Sequence, residues 1–225
     1  MIDIHSHILP EVDDGSRSIA ETITMISEAY KNGITDIIAT SHYMEGNYEV
    51  NKNKREEMVN ILKKILTIKE LPVKIYIGAE VYISSNLIKN IKDNEIPTLN
   101  NSKYLLFELP MNTPYFGLYN EINHLKDLKI VPILAHPGQI YRKIEVENIL
   151  RELRCFGLKG IEVYHPSHSQ GDINKFFNLS RKYKLCVSGG SDYHGRHIGS
   201  DNLSIGSYGL NEECLNKFIN FDKRK

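Results

Sequence analysis

Short runs of apolar residues alternate along the chain with longer segments in which apolar positions recur with helical spacing. Seven of the short runs predict β-strands, at positions 1–5, 34–40, 73–80, 104–109, 130–136, 160–164 and 185–189. Most of them are apolar throughout, which is typical of strands covered on both faces. The segments between them predict amphipathic helices, at positions 18–31, 51–68, 115–128, 146–156 and 174–183. A shorter helix is expected within 84–98 and a last one near 211–221.

This alternation, with no linker-like segment, predicts one α/β domain covering residues 1–225. A closed barrel is favoured over an open sheet, although periodicity alone does not separate the two. The sequence contains no glycine-rich phosphate loop of the P-loop or dinucleotide type, so a nucleotide cofactor is not expected.

Composition and charge exclude several classes of partner. The 225 residues are 41% hydrophobic, which is enough for a sizeable core without disulfides. Lys+Arg and Asp+Glu both number 28, so no general attraction to nucleic-acid polymers or anionic membranes is expected. The 3 cysteines form no paired motif, and neither a membrane-spanning run nor a signal peptide is recognisable. A cytoplasmic protein without membrane insertion is therefore expected.

Histidine and carboxylate residues stand at the carboxyl end of almost every predicted strand. His5 ends the first strand and His7 follows two residues later, so both imidazoles can point to one side of an extended chain. The other members of the set are Asp14, His42, Glu80, Glu108, His136, Asp192 and His194. In a parallel α/β barrel these strand ends open on one face, where active sites are built. The pattern therefore predicts a single polar site.

Nine such groups on one face would be costly without cations to compensate them. Mixed imidazole and carboxylate ligands suit zinc, manganese or iron, and the set lacks the cysteines of a structural zinc site. So many ligands predict two or three ions sharing bridging carboxylates, an arrangement that hydrolyses phosphoesters. Any one of these histidines alone could be an ordinary core or surface residue, but coincidence explains the whole set poorly.

Several polar residues near this set have other expected roles. Asp13 is interpreted as a turn residue, with Asp14 as the ligand. A functional role is expected for His165, which follows the sixth predicted strand. His168 and His197 are left open between solvent and substrate contact, and His124 is expected to be solvated.

The ordered motifs resemble those of the polymerase and histidinol phosphatase (PHP) superfamily. They are Ile4-His5-Ser6-His7, Asp14-Gly15, Thr40-Ser41-His42, Gly78-Ala79-Glu80, Ala135-His136-Pro137 and Ser191-Asp192-Tyr193-His194. Residues 1–137 are most similar to the manganese-dependent bacterial protein-tyrosine phosphatases of capsule and exopolysaccharide operons. Glu108 is a further shared feature, because many other superfamily members carry histidine there.

The resemblance implies a distorted seven-stranded, TIM-like (β/α)7 barrel and a centre of three divalent ions, with manganese expected and iron or zinc as alternatives. One ion would take His5, His7, Glu80 and Asp192, a second would share Glu80 and add Glu108 and His136, and the third would take Asp14, His42 and His194. A metal-bridging hydroxide would attack phosphorus in line, without a covalent phosphoenzyme. The catalytic residues in this interpretation are Asp192, His194, Arg196 and His165.

The second half of the chain departs from the tyrosine phosphatases. That group usually carries Glu-Arg after the motif of His136, with the arginine helping to bind phosphate, whereas this chain has Gly138-Gln139. Segments 160–169 and 188–195 are instead similar to small-molecule PHP phosphoesterases, in which the histidine matching His165 lies near the phosphate. Arg196 is the first choice for the phosphate-binding arginine, followed by Arg17 and Arg142.

Three functions follow from these observations. The favoured one is a protein-tyrosine phosphatase linked to polysaccharide synthesis, whose substrate is a phosphotyrosine protein such as a tyrosine kinase. The alternative is a phosphatase for small metabolites, either nucleoside 3′,5′-bisphosphates or histidinol phosphate. A non-catalytic barrel is expected to lack ligands, whereas every matched position here holds a competent one. The sequence does not predict the oligomeric state.

Overall fold

The computed structural model describes residues 1–110, 118–140, 145–195, 205–206 and 208–210. These residues form nine strands, which are β1 (Ile2–Ser6), β2 (Asp36–Ala39), β3 (His42–Tyr43), β4 (Lys74–Ile77), β5 (Glu80–Tyr82), β6 (Tyr104–Glu108), β7 (Val131–Leu134), β8 (Gly160–Tyr164) and β9 (Cys186–Gly189). They also form six α-helices, which are α1 (Ile19–Lys31), α2 (Lys52–Ile68), α3 (Leu87–Lys92), α4 (Leu118–His124), α5 (Val146–Phe156) and α6 (Gln170–Tyr183). Two short 3₁₀ helices cover Leu99–Asn101 and Pro137–Gln139.

All strand pairs are parallel and belong to two sheets. The smaller sheet has the order β1-β2-β4 and the larger the order β3-β5-β6-β7-β8-β9. Two residues separate β2 from β3 and two separate β4 from β5, and at each break the chain passes from the smaller sheet to the larger. The second break lies inside the predicted strand 73–80, whereas β3 lies beyond the end of the predicted strand 34–40. Gly78 lies at the second break, where a β-carbon would come within 2.8 Å of Ile38. The predicted parallel α/β architecture is confirmed, while the closed seven-stranded barrel stays a prediction.

The two sheets share one apolar interior below the strand ends. Ile2, Ile4 and Ile38 from the smaller sheet pack with Leu106 and Ile133 from the larger one, and all are buried. A parallel bridge also joins Ser6 at the end of β1 to the segment that follows β9. Apolar side chains therefore fill the interior up to the level at which the polar residues begin.

The predicted helices differ from the observed ones mainly at their ends. Helix α6 begins at Gln170, four residues before its predicted start, because its first turn is polar and carries no apolar signal. Helix α4 is shorter than predicted within the described residues. The predicted helix at 211–221 lies outside the described residues. No helix in the described ranges combines the length and apolarity needed to cross a membrane.

Replacing Ser169 with alanine is expected to lower the free energy of unfolding by about 1 kcal/mol. The Ser169 hydroxyl accepts a hydrogen bond from the Asp172 backbone N–H at 3.2 Å, and the Asp172 carboxylate accepts one from the Ser169 N–H at 3.0 Å. This capping box satisfies two N–H groups at the start of α6. Urea denaturation measures the change, and Thr24→Ala, on the exposed side of α1, is the control. Equal stability of the two variants would contradict the prediction.

Candidate metal centre

The strand ends and the segments that follow them bring all nine predicted ligands into one cluster, in which His42 and Glu80 are the first residues of β3 and β5. Eight of them fall in groups whose ligand atoms lie within 4.8 Å of one another, and these are His5, His7, Asp14, His42, Glu80, Glu108, Asp192 and His194. The ninth, His136, places its Nε2 2.6 Å from Glu80 Oε1. Residues far apart in sequence therefore meet because parallel strands end at one face.

Glu80 is the centre of this cluster. Its side chain is fully buried at the start of β5. Glu80 Oε2 lies 3.1 Å from His5 Nε2, 3.4 Å from His7 Nε2 and 3.2 Å from His42 Nδ1. Its other oxygen faces His136. One carboxylate thus contacts four imidazoles, which is the position of a bridging ligand.

Asp192 completes a group with Glu80, His5 and His7. Asp192 Oδ1 is 3.3 Å from His5 Nε2 and 3.1 Å from His7 Nε2. The residue has a positive φ of 48°, and its backbone N–H donates to the His5 carbonyl at 2.7 Å. The segment after β9 is therefore held against the end of β1, which contains His5 and is followed directly by His7.

His42 lies between two further groups. Its Nδ1 is 3.3 Å from Glu108 Oε1, and its Nε2 is 3.9 Å from Asp14 Oδ1. Asp14 Oδ1 is in turn 3.6 Å from His194 Nε2. The remaining carboxylate of the cluster, Glu108, has its Oε2 4.0 Å from His136 Nε2. His42 thus offers one nitrogen to the glutamates and the other to the outer group of Asp14 and His194.

The chemistry of the inner atoms fits divalent metal ions. Among the described residues, five buried ligand atoms make no hydrogen bond, and these are His5 Nε2, His7 Nε2, His42 Nδ1, Glu80 Oε2 and Asp192 Oδ1. A buried polar atom without a partner costs about 1–3 kcal/mol, so five such atoms facing one another require compensation. Imidazole nitrogens and carboxylate oxygens are ligands of zinc, manganese and iron.

The charges of the cluster are strongly coupled. Burial alone would lower the pKa of His5, but the carboxylates of Glu80, Glu162 and Asp192 raise that pKa well above its usual value. Burial would raise the pKa of Glu80, yet the imidazoles around it hold its pKa well below the usual range. Glu80 likewise outweighs burial and raises the pKa of His136 to about 9. Cations binding here would displace protons from the imidazoles.

Asp13 has a larger role than the expected turn residue. Its Oδ1 accepts a hydrogen bond from the Gly15 N–H at 3.0 Å, as in a turn. Its Oδ2 also faces His7 Nδ1 at 2.7 Å and accepts from the His42 backbone N–H at 2.6 Å. Asp13 therefore orients two of the candidate ligands while Asp14 faces the cluster.

Two buried carboxylates behind the cluster were missed by the sequence analysis. Asp3 Oδ1 accepts backbone hydrogen bonds from His5 and Ser191, each at 3.1 Å, and burial raises the pKa of Asp3 to about 6. Glu162, on β8, contacts His5 Nδ1 and the His136 N–H. The available signal was an acidic residue inside an otherwise apolar strand, in Ile2-Asp3-Ile4 and in Ile161-Glu162-Val163.

Of the two proposed catalytic histidines, His165 lies beside the ligands and His194 is itself a candidate ligand. His165 Nε2 is 3.1 Å from Asp192 Oδ2, and His165 Nδ1 is 2.8 Å from the Ser167 hydroxyl. The ring of His194 stacks on that of His7 with centroids 3.7 Å apart. Arg196, Arg142 and His197 lie outside the described residues. Arg17 is exposed, three residues beyond Asp14.

His168 has neither of the two roles left open for it. The residue is buried, its Nδ1 faces the Val163 carbonyl at 2.9 Å, and its Nε2 accepts from the Gly138 N–H at 3.1 Å. Both ring nitrogens therefore contact backbone groups, and one of these groups belongs to the turn after His136. His124 is exposed at the end of α4, as predicted.

A family of known proteins and several of its members match most of the chain. The family described as "Capsular polysaccharide synthesis, CpsB/CapC" matches residues 1–167. The CapC protein of Staphylococcus aureus is 38% identical over 207 residues, which are 91% of this chain and 78% of CapC. Tyrosine-protein phosphatase CpsB of Streptococcus pneumoniae is 35% identical over 190 residues, which are 82% of this chain and 77% of CpsB.

A solved structure gives the same relation. It belongs to a study of YwqE from Bacillus subtilis and CpsB from Streptococcus pneumoniae, which are described there as metal-dependent tyrosine phosphatases. That structure superposes with a TM-score of 0.75 at 26% identity, covering 96% of this chain and 87% of the other.

Proposed function

The chain belongs to the CpsB/CapC family of capsular polysaccharide synthesis proteins, and from this premise we propose that it is a metal-dependent protein-tyrosine phosphatase. Membership also confirms the predicted relation to the PHP superfamily, whose more distant structures share the fold. The observation that carries the proposal is the cluster of nine imidazole and carboxylate ligands around Glu80. Its substrates would be phosphotyrosine proteins, with a tyrosine kinase of polysaccharide synthesis as the proposed partner.

We propose three divalent ions for the centre, manganese being favoured over iron or zinc. The inner position would be held by His5, His7, Glu80 and Asp192, whose ligand atoms form one compact group. Glu80, Glu108 and His136 would hold the second ion, and Asp14, His42 and His194 the third. When bound, such ions activate water as a nucleophile and offset charge on phosphoryl oxygens.

The exposure of the ligands supports the direction from which a phosphate approaches. Glu80 and His7 have 0% of their side-chain surface exposed, whereas His194 has 16% and Asp14 has 45%. The phosphoryl group would therefore enter over Asp14 and His194. Arg196 keeps its proposed role in binding phosphate, and Arg17, an exposed residue three positions beyond Asp14 in sequence, is the second choice.

His165 is proposed to transfer a proton beside Asp192, at the carboxylate oxygen that does not face His5 and His7. Its Nε2 faces the outer oxygen of Asp192, while Ser167 contacts its other nitrogen and fixes the ring. An imidazole in this position can share a proton with the carboxylate or donate it to a phosphate oxygen.

Phosphatase activity on small metabolites is the second candidate. It is favoured by the contact between the buried His165 and the partly exposed Asp192, together with Gly138-Gln139 in place of the Glu-Arg of the tyrosine phosphatases. In this case nucleoside 3′,5′-bisphosphates or histidinol phosphate would be the substrates. We also propose a cytoplasmic location, because the 3 cysteines form no paired motif.

A turnover panel on the manganese-loaded protein separates the two functions. It compares a phosphotyrosyl peptide, a phosphoseryl peptide, a nucleoside 3′,5′-bisphosphate and histidinol phosphate at equal concentration. The proposal expects the highest kcat/KM for the phosphotyrosyl peptide. A higher kcat/KM for either metabolite would overturn the tyrosine-phosphatase assignment but would not contradict the proposed metal centre.

A further inference from the structure

We propose that Glu162 is a positioning residue that selects the ligand nitrogen of His5 and holds the backbone of His136. This inference rests on the metal-binding part of the proposed function. Glu162 is fully buried in the middle of β8, and its carboxylate contacts residues that belong to two different groups of ligands. It is itself behind the ligands and does not face the substrate.

The contact with His5 decides which nitrogen can bind an ion. His5 Nδ1 lies 3.0 Å from Glu162 Oε1 and 3.2 Å from Oε2. A carboxylate can only accept, so Nδ1 donates its proton to Glu162, and Nε2 is the nitrogen whose proton an ion would displace. Nε2 faces Glu80 Oε2 at 3.1 Å and Asp192 Oδ1 at 3.3 Å. Glu162 thus fixes both the tautomer and the ring orientation of His5, as outer carboxylates do at metal sites.

The second contact restrains an unfavourable backbone conformation. His136 follows β7 with φ of 21°, a region that residues with a side chain rarely adopt. Its backbone N–H donates to Glu162 Oε2 at 2.9 Å. Such a conformation costs about 1–3 kcal/mol and persists when neighbouring groups hold it. Glu162 supplies one of those restraints, and the His136 ring is thereby directed toward Glu80.

Glutamine cannot replace both contacts. Both oxygens of the Glu162 carboxylate are used, because Oε1 accepts from His5 Nδ1 and Oε2 accepts from the His136 N–H. An amide has one oxygen and one NH₂, so only one of the two donors would meet an acceptor. If the NH₂ faces His5, the imidazole proton moves to Nε2 and the ligand atom is lost. If it faces His136, two donors oppose each other beside the turn.

The same residues could instead form a separate ion position. His5, Glu162 and His165 offer ligand atoms within 4.8 Å of one another and all three are buried. An ion there would use His5 Nδ1, whereas the inner position uses Nε2. A neutral imidazole offers one lone pair, so the two assignments differ in where the proton is and in how many ions bind.

The experiment compares wild type, Glu162→Gln, Glu162→Asp and the control Glu147→Gln. Glu147 also accepts two hydrogen bonds, but from Lys182 and Tyr183 at the protein surface. Manganese affinity is measured by calorimetry on demetallated protein, and ion content by elemental analysis. Glu162→Gln is expected to weaken manganese binding about 10–100-fold with an unchanged number of sites, and Glu162→Asp less. Unaltered affinity in Glu162→Gln, or loss of one whole ion, would overturn the proposal.

A measurement on wild type keeps the proposal testable if the variants fail to fold. In zinc-loaded protein, long-range ¹H–¹⁵N spectra of His5 should show the proton on Nδ1. A proton on Nε2 would overturn the proposal. If wild type binds manganese but does not hydrolyse phosphotyrosyl peptide, only the proposed function fails. If it binds no manganese, both fail.

Discussion

Glu80→Gln is expected to lower kcat for a phosphotyrosyl peptide about 1,000-fold, because the bridging carboxylate of the centre is removed. Glu80 is the one described carboxylate that contacts His5, His7, His42 and His136 together. Glutamine keeps the volume but has no charge and only one acceptor oxygen. The variant should also bind fewer manganese ions than wild type, which elemental analysis measures after dialysis.

The control for this variant is Glu57→Gln. Glu57 lies on α2, is 58% exposed and pairs with Lys54 at 2.8 Å, so its replacement should leave kcat and metal content unchanged. Circular dichroism of both variants should match wild type. A Glu80→Gln protein that turns over at more than about a tenth of the wild-type rate would contradict the assignment of Glu80 as the bridging ligand.

Arg55→Met is expected to destabilise the protein by about 3–5 kcal/mol, the largest effect on folding that we predict. Arg55 is a fully buried residue of α2, and burial lowers its pKa to about 10. Its guanidinium donates to the carbonyls of Val50 at 2.7 Å, Ser41 at 2.6 Å and His42 at 2.5 Å. Methionine fills much of the volume but leaves these buried carbonyls without their donors.

Urea denaturation of demetallated protein measures this effect without the contribution of bound ions. Arg154→Met is the matched control, because Arg154 is half-buried and donates to one carbonyl, that of Tyr183 at 3.1 Å. Arg154→Met should lower the free energy of unfolding by about 1 kcal/mol. Arg55→Lys keeps the charge but loses the planar arrangement of N–H donors, so its stability should lie between those of wild type and Arg55→Met. Equal stability of Arg55→Met and Arg154→Met would contradict the prediction.

The sequence predicted the strands and the ligand positions well, because both follow from local patterns of apolar and polar residues. Apolar runs such as Tyr104–Glu108 and Gly160–Tyr164 became strands within a residue of their expected limits. Ligand positions followed from the same pattern, since a polar residue after a buried parallel strand lies at the carboxyl face. Sheet membership was not predictable, because the break at Gly78-Ala79 lies within a run predicted as one strand, and β3 lies beyond the end of the predicted strand 34–40.

Residues that support the ligands were harder to identify. Arg55 lies within a charged helical segment and reads as a surface residue, although its side chain turns inward to three carbonyls. Glu162 acts through contacts with residues 157 and 26 positions away in sequence. No spacing rule connects such pairs; only the folded arrangement brings them together. Asp13 was placed in its turn, but its contact with His7 required the fold.

The most direct test of the metal centre is a titration of demetallated protein with manganese while turnover of a phosphotyrosyl peptide is recorded. We expect background turnover without metal and turnover that increases with the number of manganese ions bound. Magnesium should be less effective than manganese, because imidazole ligands favour the softer ion. Elemental analysis of the same samples relates the rate to the number of ions per chain. Full turnover in protein shown to contain no bound ion would contradict the account.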